Sequence, residues 1–214
     1  MGIGARFGRK LGARVISVDS LDAGGRSPIE NLKTAGVECH FCDVLRESLP
    51  IESGVADCVL FADVIEHLIH SPKPVLLEIL RVLKPGGVCI ATTPNALRLT
   101  ARLKVMLGYS NWPNLREYFD APFNGSHHHE YTIEDFKFVF TATNFSIIEF
   151  VLYENNLRVV QIGSLRNITT QMRGKRVPSS EPLRFKIVKA PLLALVDIFP
   201  WLRSNMILIA RKPI

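Results

Sequence analysis

The sequence predicts an α/β fold on a doubly wound, mainly parallel sheet, and three observations carry that prediction. Short apolar runs that read as strands alternate with helical patterns at the lengths of crossover units. The first three runs each end close to an aspartate, at Asp19, Asp43 and Asp63. A later helical pattern is broken sharply by Lys84-Pro85-Gly86-Gly87, and a further strand follows at once. Sheets of this kind bind ligands beyond the carboxyl ends of their strands, which is where the three aspartates fall.

Residues 4 to 12 read as the end of a loop running into a helix, and Arg14 to Val18 as a short buried strand ending at Asp19. A helix from about Pro28 to Ala35 closes at Gly36, and Val37 to Cys42 forms the second strand. Ala56 to Phe61 is the third. Pro74 to Leu83 is helical in pattern, with Leu76, Leu77, Leu80 and Leu83 on one side, and Val88 to Thr92 is the next strand. Ala96 to Leu107 reads as an amphipathic, basic helix. Thr132 to Thr143 is a helix with Thr132 as its cap, Phe145 to Tyr153 a strand, and Met206 to Ala210 the last strand.

With 214 residues and 47% apolar content, residues 1–214 suit one compact domain with a substantial core. No run approaches the roughly 20 apolar residues of a spanning helix, and the N-terminus lacks a signal-like apolar stretch. The expected location is therefore cytoplasmic. The four cysteines, Cys39, Cys42, Cys58 and Cys89, fall in strand-like segments and read as small hydrophobes. Cys39 and Cys42 have the spacing of a metal or redox pair, but an odd offset in a strand sends the thiols to opposite faces.

The net charge of +6 is concentrated: residues 155–190 hold eight Lys or Arg against the single acid Glu181. That segment belongs to a basic, partly apolar insertion over residues 155–204, ahead of the last strand. The apolar run Ala190 to Leu202 is too short to span a bilayer but suits its interface, so peripheral membrane contact through 155–202 is one expectation. A helix covering the sheet or a dimer surface is the other.

Taken in order, Val18-Asp19, Cys42-Asp43-Val44, Phe61 to Leu68, Leu83 to Gly87, Thr93-Pro94-Asn95, His129 to Thr132 and Ile207 to Pro213 closely resemble class I S-adenosylmethionine (SAM) dependent methyltransferases. The resemblance covers nearly the whole chain. It implies a Rossmann-like sheet with an antiparallel final strand, SAM as cofactor, and a small-molecule or lipid-linked acceptor.

The resemblance also implies roles for particular residues. Asp19 and the adjoining Ser20 stand where a carboxylate accepts both ribose hydroxyls of the cofactor. Asp43 and Val44 stand where the adenine is held, and Ala62 and Asp63 line the same edge. Each aspartate has a structural alternative as a loop or helix cap. A glycine loop in the family approaches the methionine part of the cofactor. Gly2 and Gly4 match its last glycines, which would place the first family strand, its acid and the earlier glycines upstream of Met1. Residues 96–130 correspond to a variable lid over the acceptor, with Tyr109, Trp112, Tyr118 and Phe119 as candidate lining.

The donor sulfonium is already activated, so positioning supplies most of the catalysis. A general base is needed only for a hydroxyl or protonated amine, and His129 and His67 are the candidates. Asp63, Glu66 and His67, at helical offsets, also suit a divalent metal with one of His127 to His129, His127 foremost. Small-RNA 2′-O-methyltransferases resemble this arrangement. The capping-box spacing of Asp63 and Glu66 needs no metal, and that structural reading is preferred here.

O-methylation of a small or lipid-linked metabolite is accordingly the leading expectation. A metal-assisted RNA ribose methyltransferase is the first alternative, disfavoured by the lack of an RNA-binding module. A non-catalytic remnant that keeps the fold as a binding module is the second.

Overall fold

The computed structural model describes residues 3–19, 32–110, 119, 127–155 and 183–214. Among these residues it contains five α-helices and six strands. The chain begins with α1 (Ile3–Lys10), β1 (Ile16–Asp19) and β2 (Glu38–Phe41), followed by β3 (Ala56–Ala62) and a short 3-10 turn at Ile65–His67. It continues through α2 (Lys73–Val82), β4 (Leu83–Pro94), α3 (Leu99–Met106) and α4 (Ile133–Thr141). The last elements are β5 (Ser146–Tyr153), α5 (Leu183–Ile198), a 3-10 turn at Pro200–Leu202 and β6 (Asn205–Arg211). The predicted helix from Pro28 lies partly outside the described residues; its end at Leu32–Thr34 is helical and turns at Gly36, whose φ of 75° suits glycine.

β1 and β2 pair in parallel as a two-stranded sheet, while β3, β4, β6 and β5 form a four-stranded sheet in that order. β3 is parallel to β4, and β6 runs antiparallel to both β4 and β5. The expected mainly parallel sheet with an antiparallel final strand is therefore present. β6 sits between two partners, and Met206, Leu208 and Ala210 are fully buried along it. β3 pairs only with β4 among the described residues, and Leu60 in its middle is 56% exposed.

Two sequence expectations need correction near β4. The buried stripe of α2 is Val75, Leu76, Ile79 and Val82, whereas Leu77 is exposed and Leu83 already belongs to the strand. Leu77 lies about 200° around the helix from Val75, opposite the middle of that stripe. The Lys84 to Gly87 segment does not separate helix from strand but forms a bulge inside β4. Ala56 pairs with Leu83 and Cys58 with Val88, so these four residues stand opposite Asp57 alone. Lys84 Nζ meets the Asp57 carboxylate at 2.7 Å. Gly87 is required there, because an added Cβ would lie 2.9 Å from the Lys84 carbonyl oxygen.

The loop after β2 is fixed to α2 by one arginine. Arg81 donates to the carbonyl oxygens of Ile51 and Leu49 at 2.9 and 3.0 Å and pairs with Glu78 at 2.8 Å. The Glu78 carboxylate also accepts the Leu49 N–H at 2.8 Å. α4 starts as expected, with Thr132 and Asp135 exchanging hydrogen bonds in a capping box. Its Phe136 and Phe140 continue an aromatic file from Tyr131 to Phe145 and are fully buried in the main core.

A second, smaller core joins α3 to α5. Val196 is fully buried against Leu99, with Leu103, Leu192, Leu193 and Leu202 around them. From the apolar run that starts at Ala190, Leu192, Leu193, Val196 and Leu202 join α3 in this core, whereas Leu195, Ile198, Phe199 and Trp201 are exposed. No helix among the described residues is long and apolar enough to cross a membrane. Most of the basic segment, with Trp112 and Tyr118, lies outside the described residues, while Tyr109 and Phe119 are exposed.

All four cysteines are free thiols. Cys39 Sγ donates to the Val37 carbonyl at 3.6 Å, and Cys42 Sγ to the Ser48 carbonyl at 3.5 Å. Cys42 is buried just past the end of β2 rather than within it.

Candidate functional site

Each of the three aspartates stands at or just past the carboxyl end of a strand, Asp19 and Asp43 on the β1–β2 sheet and Asp63 on the four-stranded one. Asp19 is the last residue of β1, Asp43 follows β2 by two positions, and Asp63 follows β3 directly. The Cys42 N–H bonds the Asp19 carbonyl at 3.0 Å, which brings the ends of β1 and β2 together. Asp19 is half-buried. Asp43 caps its own turn, its Oδ1 accepting the Leu45 N–H at 3.1 Å, while the exposed Arg46 lies 3.5 Å from Oδ2. Val44 is partly buried and packs against the main core. Gly4 lies in the first turn of α1; Gly2 and Ser20 lie outside the described residues.

The loop after β3 is shaped by the end of β4. Asp63 has a positive φ of 51°, held by its N–H bonding both the carbonyl and the hydroxyl oxygen of Thr92 at 3.0 and 3.1 Å. The Thr92 hydroxyl in turn donates to Asp63 Oδ1 at 2.8 Å. Asp63 therefore does not begin a helix. The 3-10 turn that follows spans only Ile65–His67, and its cap residue, Val64, makes no side-chain cap bond. The capping box expected from Asp63 and Glu66 is absent, because the left-handed backbone at Asp63 turns its carboxylate to β4.

Glu66 points inward at 1% exposure and accepts the Thr93 hydroxyl at 3.1 Å. Burial, followed by the neighbouring Asp63 charge, raises its pKa above the ordinary carboxylate range. The Glu66 carbonyl accepts the N–H groups of His128 and His129 at 2.7 and 3.3 Å, and so fixes the histidine loop over the turn. The His67 and His127 rings meet edge to face, 4.9 Å between centroids. The ligand atoms of Glu66, His67 and His127 all lie within 4.8 Å of one another, and Asp63 is not among them.

Behind His127 lies a chain that gives no local sign in the sequence. His127 Nδ1 is 3.1 Å from Glu130 Oε1, and Arg98 donates to Glu130 Oε2 at 2.6 Å. Burial alone would raise the Glu130 carboxyl, but hydrogen bonds from His127 and Arg98 outweigh it and hold the pKa at about 2. His127 is shifted upward, first by its bond to Glu130. Arg98 and Glu130 are 32 positions apart, so neither a motif nor a spacing could have paired them. Tyr153, at the end of β5, also has a raised pKa, through burial and then the charges of Asp63 and Glu66.

Beside this cluster an open cavity of about 420 Å³ is lined by Leu68, His70, His128, His129, Tyr131 and Phe138, among others. His129 is exposed, and its ring stands edge to face on Tyr131 at 4.7 Å. Burial raises the Tyr131 hydroxyl pKa to about 12, so the phenol stays protonated. His67 does not line the cavity. Of the two candidate bases, only His129 reaches it.

A parallel sheet closed by one antiparallel strand, with carboxylates past the ends of β1, β2 and β3, is the arrangement of class I SAM-dependent methyltransferases. Residues 2–91, the N-terminal part of the chain, match a family described as a methyltransferase domain, whose members use SAM as the methyl donor. No curated protein matches the chain in sequence.

Solved structures share the fold over nearly the whole chain. A Galdieria sulphuraria protein assigned as a sarcosine dimethylglycine methyltransferase is 16% identical, with a TM-score of 0.60 over 99% of this chain and 75% of its own. A SAM-dependent methyltransferase from Archaeoglobus fulgidus is 14% identical, with a TM-score of 0.58 over 99% of this chain and 81% of its own. Phosphoethanolamine N-methyltransferase 2 of Haemonchus contortus, solved with SAM, is 16% identical, with a TM-score of 0.57 over all of this chain and 46% of its own.

Proposed function

We propose that the chain transfers a methyl group from SAM to an oxygen of a small or lipid-linked acceptor, bound at the edge where β3 and β4 end. The observation that carries this reading is the meeting of His129 and Tyr131 at a cavity of about 420 Å³ next to the turn after β3.

The donor set at the strand ends fits the cofactor. The half-buried Asp19 carboxylate at the end of β1 is an acceptor group suited to a ribose diol. The first-turn N–H groups of α1, next to Gly4, have no partner within the helix and suit a carboxylate. At Asp43, Oδ1 is engaged by its own turn, and an adenine amino group would share Oδ2 with the exposed Arg46. Ala62 and Asp63 stand at the end of β3, with Asp63 held by Thr92.

SAM supplies a methyl group on a sulfonium, already activated for displacement. The chain's own residues bind, orient and deprotonate. Tyr131 stays neutral and offers a hydroxyl donor to the cavity. His129 takes the proton from the acceptor hydroxyl, as an exposed imidazole that lines the cavity with its ring against Tyr131.

Calorimetric titration with S-adenosylhomocysteine tests the cofactor part, and transfer of labelled methyl from SAM to a panel of hydroxyl and amine acceptors tests the rest. Absence of binding heat sinks the enzyme reading, and transfer confined to amines sinks the oxygen assignment.

A further inference from the structure

The geometry points to a divalent transition-metal site formed by Glu66, His67 and His127, with Glu130 orienting His127. This site goes beyond the methyl-transfer reading and does not depend on it.

The donor set is the first argument. One carboxylate and two imidazoles suit zinc, cobalt or non-haem iron rather than magnesium or calcium. Three protein donors also leave a coordination position open for an exchangeable oxygen. The three ligand atoms lie within 4.8 Å of one another. Ligand bonds of about 2.0 to 2.2 Å need tetrahedral donors about 3.4 Å apart, so side-chain adjustments of about an ångström complete the site.

The second argument is the outer shell, which is independent of the cluster itself. A metal-bound imidazole characteristically donates its remaining N–H to a carboxylate that fixes its tautomer. His127 Nδ1 meets Glu130 Oε1 at 3.1 Å, which leaves Nε2 with its lone pair as the ligand atom. Glu130 is in turn locked by Arg98, and both side chains are largely buried. A surface histidine needs no such two-layer support.

Burial of Glu66 is the third argument. Its carboxylate is 1% exposed and has the single hydroxyl of Thr93 as its side-chain donor. An ionised carboxylate so placed is costly without a cation, and the two imidazoles beside it are the groups that would share one. The alternative function for Glu66, a helix cap, is removed by the left-handed backbone at Asp63 and the absence of a side-chain cap.

The test uses the full chain, freed of metal by a chelator and titrated with Co²⁺ by visible absorption and with Zn²⁺ by competition. One equivalent of Co²⁺ with tetrahedral or five-coordinate bands is expected. His127→Ala, at a partly exposed position, should lose it while keeping its melting temperature and its S-adenosylhomocysteine binding. Glu66→Gln should lose it as well, and Glu130→Gln should weaken it about 10- to 100-fold. No stoichiometric Co²⁺ binding by the wild-type chain, or equal binding by His127→Ala, overturns the site. Unchanged affinity in Glu130→Gln overturns the orienting role. Because none of these readouts uses methyl transfer, a failed activity assay leaves the metal result standing, and the reverse holds too.

Discussion

The Thr93 hydroxyl donates to Glu66 Oε2 at 3.1 Å between two side chains that solvent barely reaches. This bond ties the end of β4 to the turn after β3, and the Glu66 carbonyl passes the constraint on to the histidine loop. One buried pair therefore sets the relative positions of Glu66, His67 and His127. Replacing Thr93 by Val keeps the shape and removes the donor. The expected loss is about 1 to 3 kcal/mol, the cost of leaving a buried acceptor unpaired. Urea unfolding of the two proteins measures it, and a loss below about 0.5 kcal/mol would show that Glu66 finds its partner elsewhere.

Glu78 gives the chain an acid-sensitive brace. The hydrogen bond and charge of Arg81 hold its carboxyl below the ordinary value of 4.5, with the Leu49 N–H adding to the effect. A depressed carboxylate pKa contributes stability that is complete above the unfolded value and is lost as pH falls through the folded one. Wild type should therefore exceed Glu78→Gln in melting temperature at pH 7. The gap should narrow as pH drops below about 4.5. Thermal melts of both proteins across that range decide the matter, and a constant gap would remove Glu78 ionisation from the account.

Gly87 is held to glycine by contact and not by its φ. A methyl there would press on the Lys84 carbonyl at 2.9 Å and on the Ala56 carbonyl at 3.2 Å, both of them backbone atoms. Gly87→Ala should cost about 1 to 3 kcal/mol through strain in the bulge. Gly54→Ala is a useful contrast, since it meets no atom within 4 Å but has a φ of +67°. If melting shows Gly87→Ala to be as stable as wild type, the bulge is softer than its contacts imply.

Asp19 is the position on which cofactor affinity should depend most. Removing a carboxylate that accepts two ribose hydroxyls should weaken S-adenosylhomocysteine binding at least about 10-fold, or about 1.4 kcal/mol. Asp19→Ala should then lose most of the ligand-induced rise in melting temperature, which for wild type at 100 times Kd corresponds to about 2.7 kcal/mol. Equal shifts in the two proteins would take Asp19 out of the site.

What the sequence made legible was local. Apolar runs ending in acids located β1, β2 and β3, and Thr132 with Asp135 announced the start of α4 because both halves of a capping box lie within four residues. Asn95 shows the opposite case. Its amide donates to the carbonyls of Trp201 and Arg203, each at 2.9 Å, and its Oδ1 accepts the Leu97 N–H, so it anchors β4 to the approach to β6. Those partners are more than 100 positions away. The Arg98, Glu130 and His127 chain was hidden for the same reason. Reading Asp63, Glu66 and His67 as one helical face failed differently: periodicity assumes a continuous helix, and a left-handed residue followed by three residues of 3-10 turn supplies none.

His129 is the residue whose removal most sharply separates binding from chemistry. Its exposed imidazole lines the cavity next to Tyr131, while the peptide N–H that holds its loop belongs to the backbone and survives substitution. His129→Asn should therefore fold normally and bind S-adenosylhomocysteine as wild type does. If His129 accepts the acceptor proton in the transition state, kcat should fall about 100- to 10,000-fold with a hydroxyl acceptor. A role confined to acceptor binding would raise KM and leave kcat unchanged. His67→Asn provides the control, because His67 does not line the cavity and faces His127 instead. A larger fall in kcat for His67→Asn than for His129→Asn would reassign the base and place the acceptor over the Glu66 turn.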